Sequence, residues 1–248
     1  MNLFSAQALW NYRNIVGELK ERIIKLYNII DFKNDLFPYQ WAQLISVVLE
    51  FQPDLIIELG RGGGNSTCAF ILGANKLAFP ARVVSICLST CWRQKTLPRI
   101  KDLISSEELE LLNAYETNIL IFNFLPILQK AKKILLFWDA HGFDIAECIL
   151  GEIMPQLQNK LHIVVCHDMS DVRYLPAIKR EYGNYGVWRG NNDEGRRVWL
   201  WDVDSAVEQC ISIIDFVSRN KIELHSATHE LHQFFDNDKD KRLSLIHI

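Results

Sequence analysis

Between residues 5 and 30 apolar side chains recur at helical spacing: Leu9, Trp10, Tyr12, Ile15, Val16, Leu19, Ile23, Leu26 and Tyr27, with charges falling between them. Asp35-Leu36-Phe37-Pro38 breaks this pattern, and residues 39–51 resume it until Gln52-Pro53 stops it. From residue 54 the pattern changes. Short apolar runs of strand length alternate with longer helical ones, which predicts a parallel sheet with crossover helices. The expected strands are 54–59, 82–87, a weak one at 109–114, 134–138 and 161–166. The expected helices between them are 65–77, 98–106, 119–132 with an interruption at Pro126, and 145–157.

Beyond 166 the pattern predicts a short helix at 175–181 and two strands, 185–188 and 197–201, joined by a polar loop. Paired strands of this kind suit an antiparallel edge hairpin at the C-terminal side of the sheet. A further helix over 205–220 has Ser205 as its natural N-cap. Residues 236–242 are a charge run of the kind that stays solvated. The expected organisation is an N-terminal helical extension over 1–52, an α/β domain over 53–222 and a partly disordered tail over 223–248. Nothing repeats internally.

The first strand runs straight into an unusual turn, Glu58-Leu59-Gly60-Arg61-Gly62-Gly63-Gly64-Asn65-Ser66-Thr67. Glycine admits positive φ and close approach of a ligand to the backbone. Asn65, Ser66 and Thr67 are natural helix caps, and a helix starting there would aim free N–H groups at the turn. The place suits a nucleotide or an adenosyl cofactor. A dinucleotide fingerprint would need a glycine at 65, where Asn stands, and an acid at the end of the second strand, where Cys87 stands. A P-loop would need a lysine after Gly64. A plain strand–turn–helix corner with no ligand is the remaining reading. The spacing of Glu58, Gly60, Gly62 and Gly64 resembles motif I of class I S-adenosylmethionine (SAM)-dependent methyltransferases.

Composition narrows the picture further. Apolar residues are 49% of the 248, enough for a substantial core, and the formal net charge is −3, which gives no electrostatic case for binding nucleic acid. No apolar run reaches the length of a membrane span, and the first residues lack the pattern of a signal peptide. Six cysteines, at 68, 87, 91, 148, 166 and 210, include no C-x-x-C pair, so the expectation is a reduced, cytoplasmic protein without zinc.

Ligands of open α/β sheets bind outside the carboxyl ends of the strands. The polar residues expected there are Glu58 with the glycines, Cys87 to Ser89, Asp139-Ala140-His141 and His167-Asp168. Asp and His together can bind a divalent cation or form a general acid–base pair. The stretch Phe137-Trp138-Asp139-Ala140-His141-Gly142 resembles the fourth-strand D-x-H element of sugar and macrolide O-methyltransferases. Val164-Val165-Cys166-His167-Asp168 resembles their fifth-strand H-D element, and cephalosporin-hydroxylase-type proteins share much of the pattern.

The resemblance spans about residues 53–205 and implies a Rossmann-like class I methyltransferase fold. It implies SAM bound by Glu58, Gly60, Arg61, Gly62, Gly64, Asn65, Ser66, Cys87 and Ser89. It also implies Mg²⁺ held by Asp139, Asp168 and Asp171, and His141 as the base that deprotonates a small hydroxylated acceptor while Asp139 assists. Arg61 reads equally as a solvated surface residue, and Asp171 equally as the cap of the next helix. Two positions depart from the pattern: Met169 where relatives carry a second acid or amide, and Cys87 where they carry the acid that holds ribose hydroxyls. A non-catalytic binding or assembly protein on the same fold therefore stands as the alternative, and a nicotinamide-dependent oxidoreductase as a third reading. The N-terminal helices are candidates to cover the cofactor, cap the sheet or build a homodimer.

Overall fold

A computed structural model of the chain describes residues 5–32, 36–140 and 143–167. Three helices come first: α1 (Ser5–Asn11), α2 (Arg13–Ile30) and α3 (Pro38–Phe51). The α/β part follows as β1 (Leu55–Leu59), α4 (Asn65–Asn75) and β2 (Arg82–Cys87). It continues through α5 (Leu97–Ile100), α6 (Ser106–Leu109), β3 (Leu112–Glu116) and α7 (Leu125–Lys130). It closes with β4 (Lys133–Trp138), α8 (Phe143–Cys148), α9 (Met154–Leu157) and β5 (Leu161–Cys166). The five strands are parallel in the order β3-β2-β1-β4-β5, so the chain reverses direction across the sheet after β3. The fold is Rossmann-like, with the switch point beside β1.

Alternation along each strand splits the core into two layers. Ile56, Val83, Leu135, Phe137 and Val165 face α1–α4 and the segment around Trp92, Ile100 and Ile104. Leu55, Ile57, Leu59, Val84, Ile86, Leu136 and Trp138 face Leu128, Ile149, Ile153 and Leu157. Every residue of β1 is buried, as a central parallel strand requires, whereas β3 is exposed along most of its length. The N-terminal helices share this core rather than standing off it. All but one residue of α3 is buried, and α3 lies against α4.

β2 and β5 lie where the hydrophobic pattern puts them. The third strand begins three residues later than expected, because Ser105 caps a helical turn: its hydroxyl accepts from the Glu108 N–H while the Glu108 carboxylate accepts from the Ser105 N–H. The stretch expected as one helix over 119–132 is a 3₁₀ turn over Ile119–Ile121 followed by α7. Two helices widen into single π turns, Trp92–Thr96 before Pro98 and Ile149–Ile153 before Pro155. Proline has no N–H to donate and its ring crowds the carbonyl four residues back, so the ladder opens just upstream. The expected hairpin, the helices at 175–181 and 205–220 and the charged tail lie outside the described residues. Among the described residues no helix is long and apolar enough to cross a membrane.

Candidate functional site at the carboxyl edge of the sheet

The turn after β1 is left-handed at Gly60 (φ 94°), Gly62 (φ 50°) and Gly64 (φ 96°), a backbone only glycine adopts without strain. Gly60 also packs against the end of β4: a Cβ there would lie 2.6 Å from the Asp139 carbonyl oxygen. The ladder continues through this point, with Gly60 N–H donating to Ile86 O at 3.0 Å and Asp139 N–H to Leu59 O at 2.9 Å. Gly62 is exposed. The other two glycines are covered by the chain itself. A Cβ on Gly63 would strike the Phe32 ring, and one on Gly64 the Trp92 ring, each at 2.6 Å. Thr96 donates its hydroxyl to Gly63 O at 2.7 Å, and Asn65 donates its amide to Phe32 O at 3.1 Å.

Gly64, not Asn65, Ser66 or Thr67, holds the N-cap position of α4. The polar side chains of that first turn are used elsewhere. Ser66 and Thr67 donate to the two carboxylate oxygens of Glu58, and Ser85 donates to it from β2. Glu58 is 0% exposed. Alternation explains this: Leu59 faces the second core layer, so Glu58 faces α4, in register with Ser85. Burial pushes its carboxyl above the ordinary value, while hydrogen bonds from Ser66, Ser85 and Thr67 and the charge of Arg61 pull back.

Arg61 is 1% exposed, so it is not a solvated surface residue. It donates to Ser85 O at 3.1 Å, Ser85 Oγ at 2.9 Å and Tyr115 O at 3.3 Å, and its Nε is buried with no partner. Glu58, Ser85 and Arg61 thus form one buried chain. The two expected cofactor contacts fasten β1 to α4, β2 and β3 instead of presenting their side chains at the mouth of the turn.

At the ends of β2 and β3, the Ser89 N–H donates to Cys87 Sγ at 3.4 Å, and Ser89 Oγ accepts from Cys91 N–H at 3.1 Å. Glu116 stands in register beside Cys87. Arg93 forks onto it, Nε donating at 3.1 and 3.2 Å and Nη2 at 3.1 Å. Neither residue was marked by the sequence pattern.

At the ends of β4 and β5, Asp139 Oδ1 lies 2.8 Å from Nδ1 of His167. His167 Nε2 lies 3.3 Å from Nε2 of Gln40 in α3. Gln40 carries no local signal beyond its place three residues after Phe37 at a helix start. His141, Asp168 and Asp171 lie outside the described residues. Among the described residues no three His, Cys, Asp or Glu side chains converge as a metal site would require.

No protein-family model matches the chain, and no curated protein does. Solved structures do. The chain is similar in fold to methyltransferases of known structure. One is the O-methyltransferase TomG of Streptomyces achromogenes, solved with SAM: 18% identical, covering 63% of this chain and 70% of that one, with a TM-score of 0.44. A second is the methyltransferase PaMTH1 of Podospora anserina, bound to S-adenosylhomocysteine: 13% identical, covering 94% and 89%, with a TM-score of 0.47. A third is a methyltransferase of Geobacter sulfurreducens: 15% identical, covering 66% and 76%, with a TM-score of 0.41.

Proposed function

We propose that this chain is a SAM-dependent methyltransferase acting on a hydroxyl of a small acceptor. The observation that carries the reading is the turn of left-handed glycines at the carboxyl end of the central strand, at the switch point of a parallel sheet. The buried Glu58 anchor holds that turn in one shape. The cofactor fits the part of the turn that the chain leaves open: the exposed backbone at Gly62, with Gly60 pressed against β4 on one side and Cys87 and Ser89 on the other. When bound, SAM supplies an electrophilic methyl group.

In this reading His141, three residues after the end of β4 at Trp138, takes the proton of the acceptor hydroxyl, as a neutral imidazole near pH 7 can. Asp139 orients the acceptor side of the site, and positioning supplies most of the rate. Of the expected Mg²⁺ ligands Asp139 alone lies among the described residues, and its Oδ1 is engaged by His167. The mechanism accordingly takes no step through a metal.

A non-catalytic binding protein on the same fold is favoured by one observation. Phe32 and Trp92 account for Gly63 and Gly64 without any ligand. The nicotinamide reading has no comparable support, since the buried Asn65 and the half-buried Cys87 occupy the positions it needs for glycine and acid.

Titration calorimetry with SAM and S-adenosylhomocysteine separates the two readings that remain. Binding in the micromolar range is expected, and Cys87→Asp should tighten it, because a carboxylate accepts from hydroxyls where a thiol accepts weakly. No heat with either ligand from folded protein would remove the methyltransferase reading and leave the non-catalytic one.

A further inference from the structure

The ends of β4 and β5 meet the start of α3 in a row of three side chains, Asp139, His167 and Gln40, all largely buried. Hydrogen-bond logic fixes the protons along this row. The Phe37 backbone N–H is a donor only, and it lies 2.8 Å from Oε1 of Gln40. Oε1 therefore faces Phe37, and the Gln40 NH₂ faces His167. An amide NH₂ is also a donor only, so His167 Nε2 must present its lone pair to it. The imidazole proton is then on Nδ1, where it is donated to Asp139 Oδ1 at 2.8 Å.

We infer that Gln40 is a positioning residue: it sets the tautomer of His167, and through that N–H it fixes the Asp139 carboxylate at the edge of the candidate site. This deepens the methyltransferase reading and rests on it for the catalytic consequence, but the tautomer itself does not. Three features carry the inference. Gln40 is 3% exposed, so its amide has no water to exchange with. Its other end is held by the cap of α3, which ties the row to the backbone rather than to a rotamer. Its neighbours along the row come from two adjacent strands, whose ends are ordered by Asp139 N–H donating to Leu59 O and His167 N–H donating to Trp138 O. His167, with Nδ1 on Asp139 and Nε2 on Gln40, orients the Asp139 carboxylate. The row also gives the N-terminal helices a role in the site beyond packing. Outer hydrogen-bond partners of this kind decide where a carboxylate or imidazole points.

Long-range ¹H–¹⁵N spectra of the imidazoles in the full chain test it, with the His167 signals assigned by their loss in His167→Asn. The expected result is a single neutral form protonated on Nδ1, the less common tautomer of free histidine. A form protonated on Nε2 would overturn the inference in the wild-type protein alone. Gln40→Leu keeps the volume and removes the donor. It should replace the single form by a mixture, and an unchanged pattern would show that Asp139 alone sets the tautomer. In steady-state methyl transfer Gln40→Leu should lower kcat about tenfold or more, with the KM for the acceptor and the affinity for SAM unchanged. A rise in KM at constant kcat would make Gln40 a binding residue and refute the positioning role. Failure of the wild-type chain to bind SAM would remove the methyltransferase reading while leaving the tautomer result intact.

Discussion

Replacing Gly60 by alanine tests the geometry of the turn most directly. The added Cβ would lie 2.6 Å from the Asp139 carbonyl oxygen, 2.7 Å from its carbon and 2.9 Å from the Ala140 nitrogen. All three are backbone atoms at the end of β4, so no side chain can swing away. The end of the strand or the turn must move. Alanine must also hold φ near 94°, which costs about 1–2 kcal/mol in the left-handed region. Forcing a methyl group into a filled space costs about 1–3 kcal/mol more. Loss of glycine's freedom in the unfolded chain returns about 0.4–1 kcal/mol. A net destabilisation of about 3 kcal/mol follows, a large share of the ~5–15 kcal/mol that a domain possesses.

With a urea m-value of about 3 kcal/mol/M, the unfolding midpoint should fall by about 1 M with the slope unchanged. Amide exchange should show the opening locally, at Asp139 N–H and Gly60 N–H, which bridge β1 to its neighbours. Gly151→Ala is the matched control. A Cβ there meets nothing within 4 Å, so the entropic gain stands alone and stability should rise by about 0.4–1 kcal/mol. If the two variants shift the midpoint equally, or if Gly60→Ala leaves it in place, the close approach of the turn to β4 is refuted.

Two further predictions concern acids whose pKa values move in opposite directions. Burial raises Glu58 above its ordinary 4.5, so its contribution is whole below that pH and is lost as pH rises through the folded value. Glu58→Gln cannot titrate, and its stability relative to wild type, measured by urea unfolding between pH 4 and 8, should grow with pH; parallel curves would refute the raised value. For Glu108, burial pushes up, but the Arg22 guanidinium, the Ser105 N–H and the Asn75 amide together bring it below the ordinary value. That stability is present above the unfolded pKa and is lost as pH falls through the folded one. Arg22→Ala also strips donors from Leu103 O, so it should cost about 2 kcal/mol at neutral pH and flatten the loss in acid; an unchanged acid limb would show that Arg22 does not set the Glu108 pKa.

Reading this chain from its sequence succeeds where the physics is local and periodic. β2 and β5 are short apolar runs bounded by polar residues, and their ends fall at 82–87 and 161–166 as the pattern requires. The glycine turn is legible because glycine adopts positive φ at no steric cost, and the angles of 94° at Gly60 and 96° at Gly64 suit it above other residues. β3 was misplaced although the correction was written in the chain: Ser105 and Glu108 are spaced as a capping box, which forces a helical turn where a strand start was expected. Glu58 was legible as an important acid but not in its direction. The alternation that buries Leu59 in one core layer turns Glu58 towards the other, where Ser66 and Thr67 lie in the first turn of α4.

What the sequence could not show is pairing across the sheet. Arg61 and Ser85 are 24 residues apart, and Gln40 and His167 are 127 apart. No periodicity links them, because the link is made by the strand register and by where α3 begins. The same point bears on Phe32 and Trp92, whose rings cover Gly63 and Gly64. A run of three consecutive glycines reads from sequence as one opening for a ligand. The structure divides it, with Gly62 left to the outside and the next two closed by aromatic rings from either side. A ligand at this turn therefore has Gly60 and Gly62 to approach, and substitutions at Gly63 and Gly64 report on packing instead.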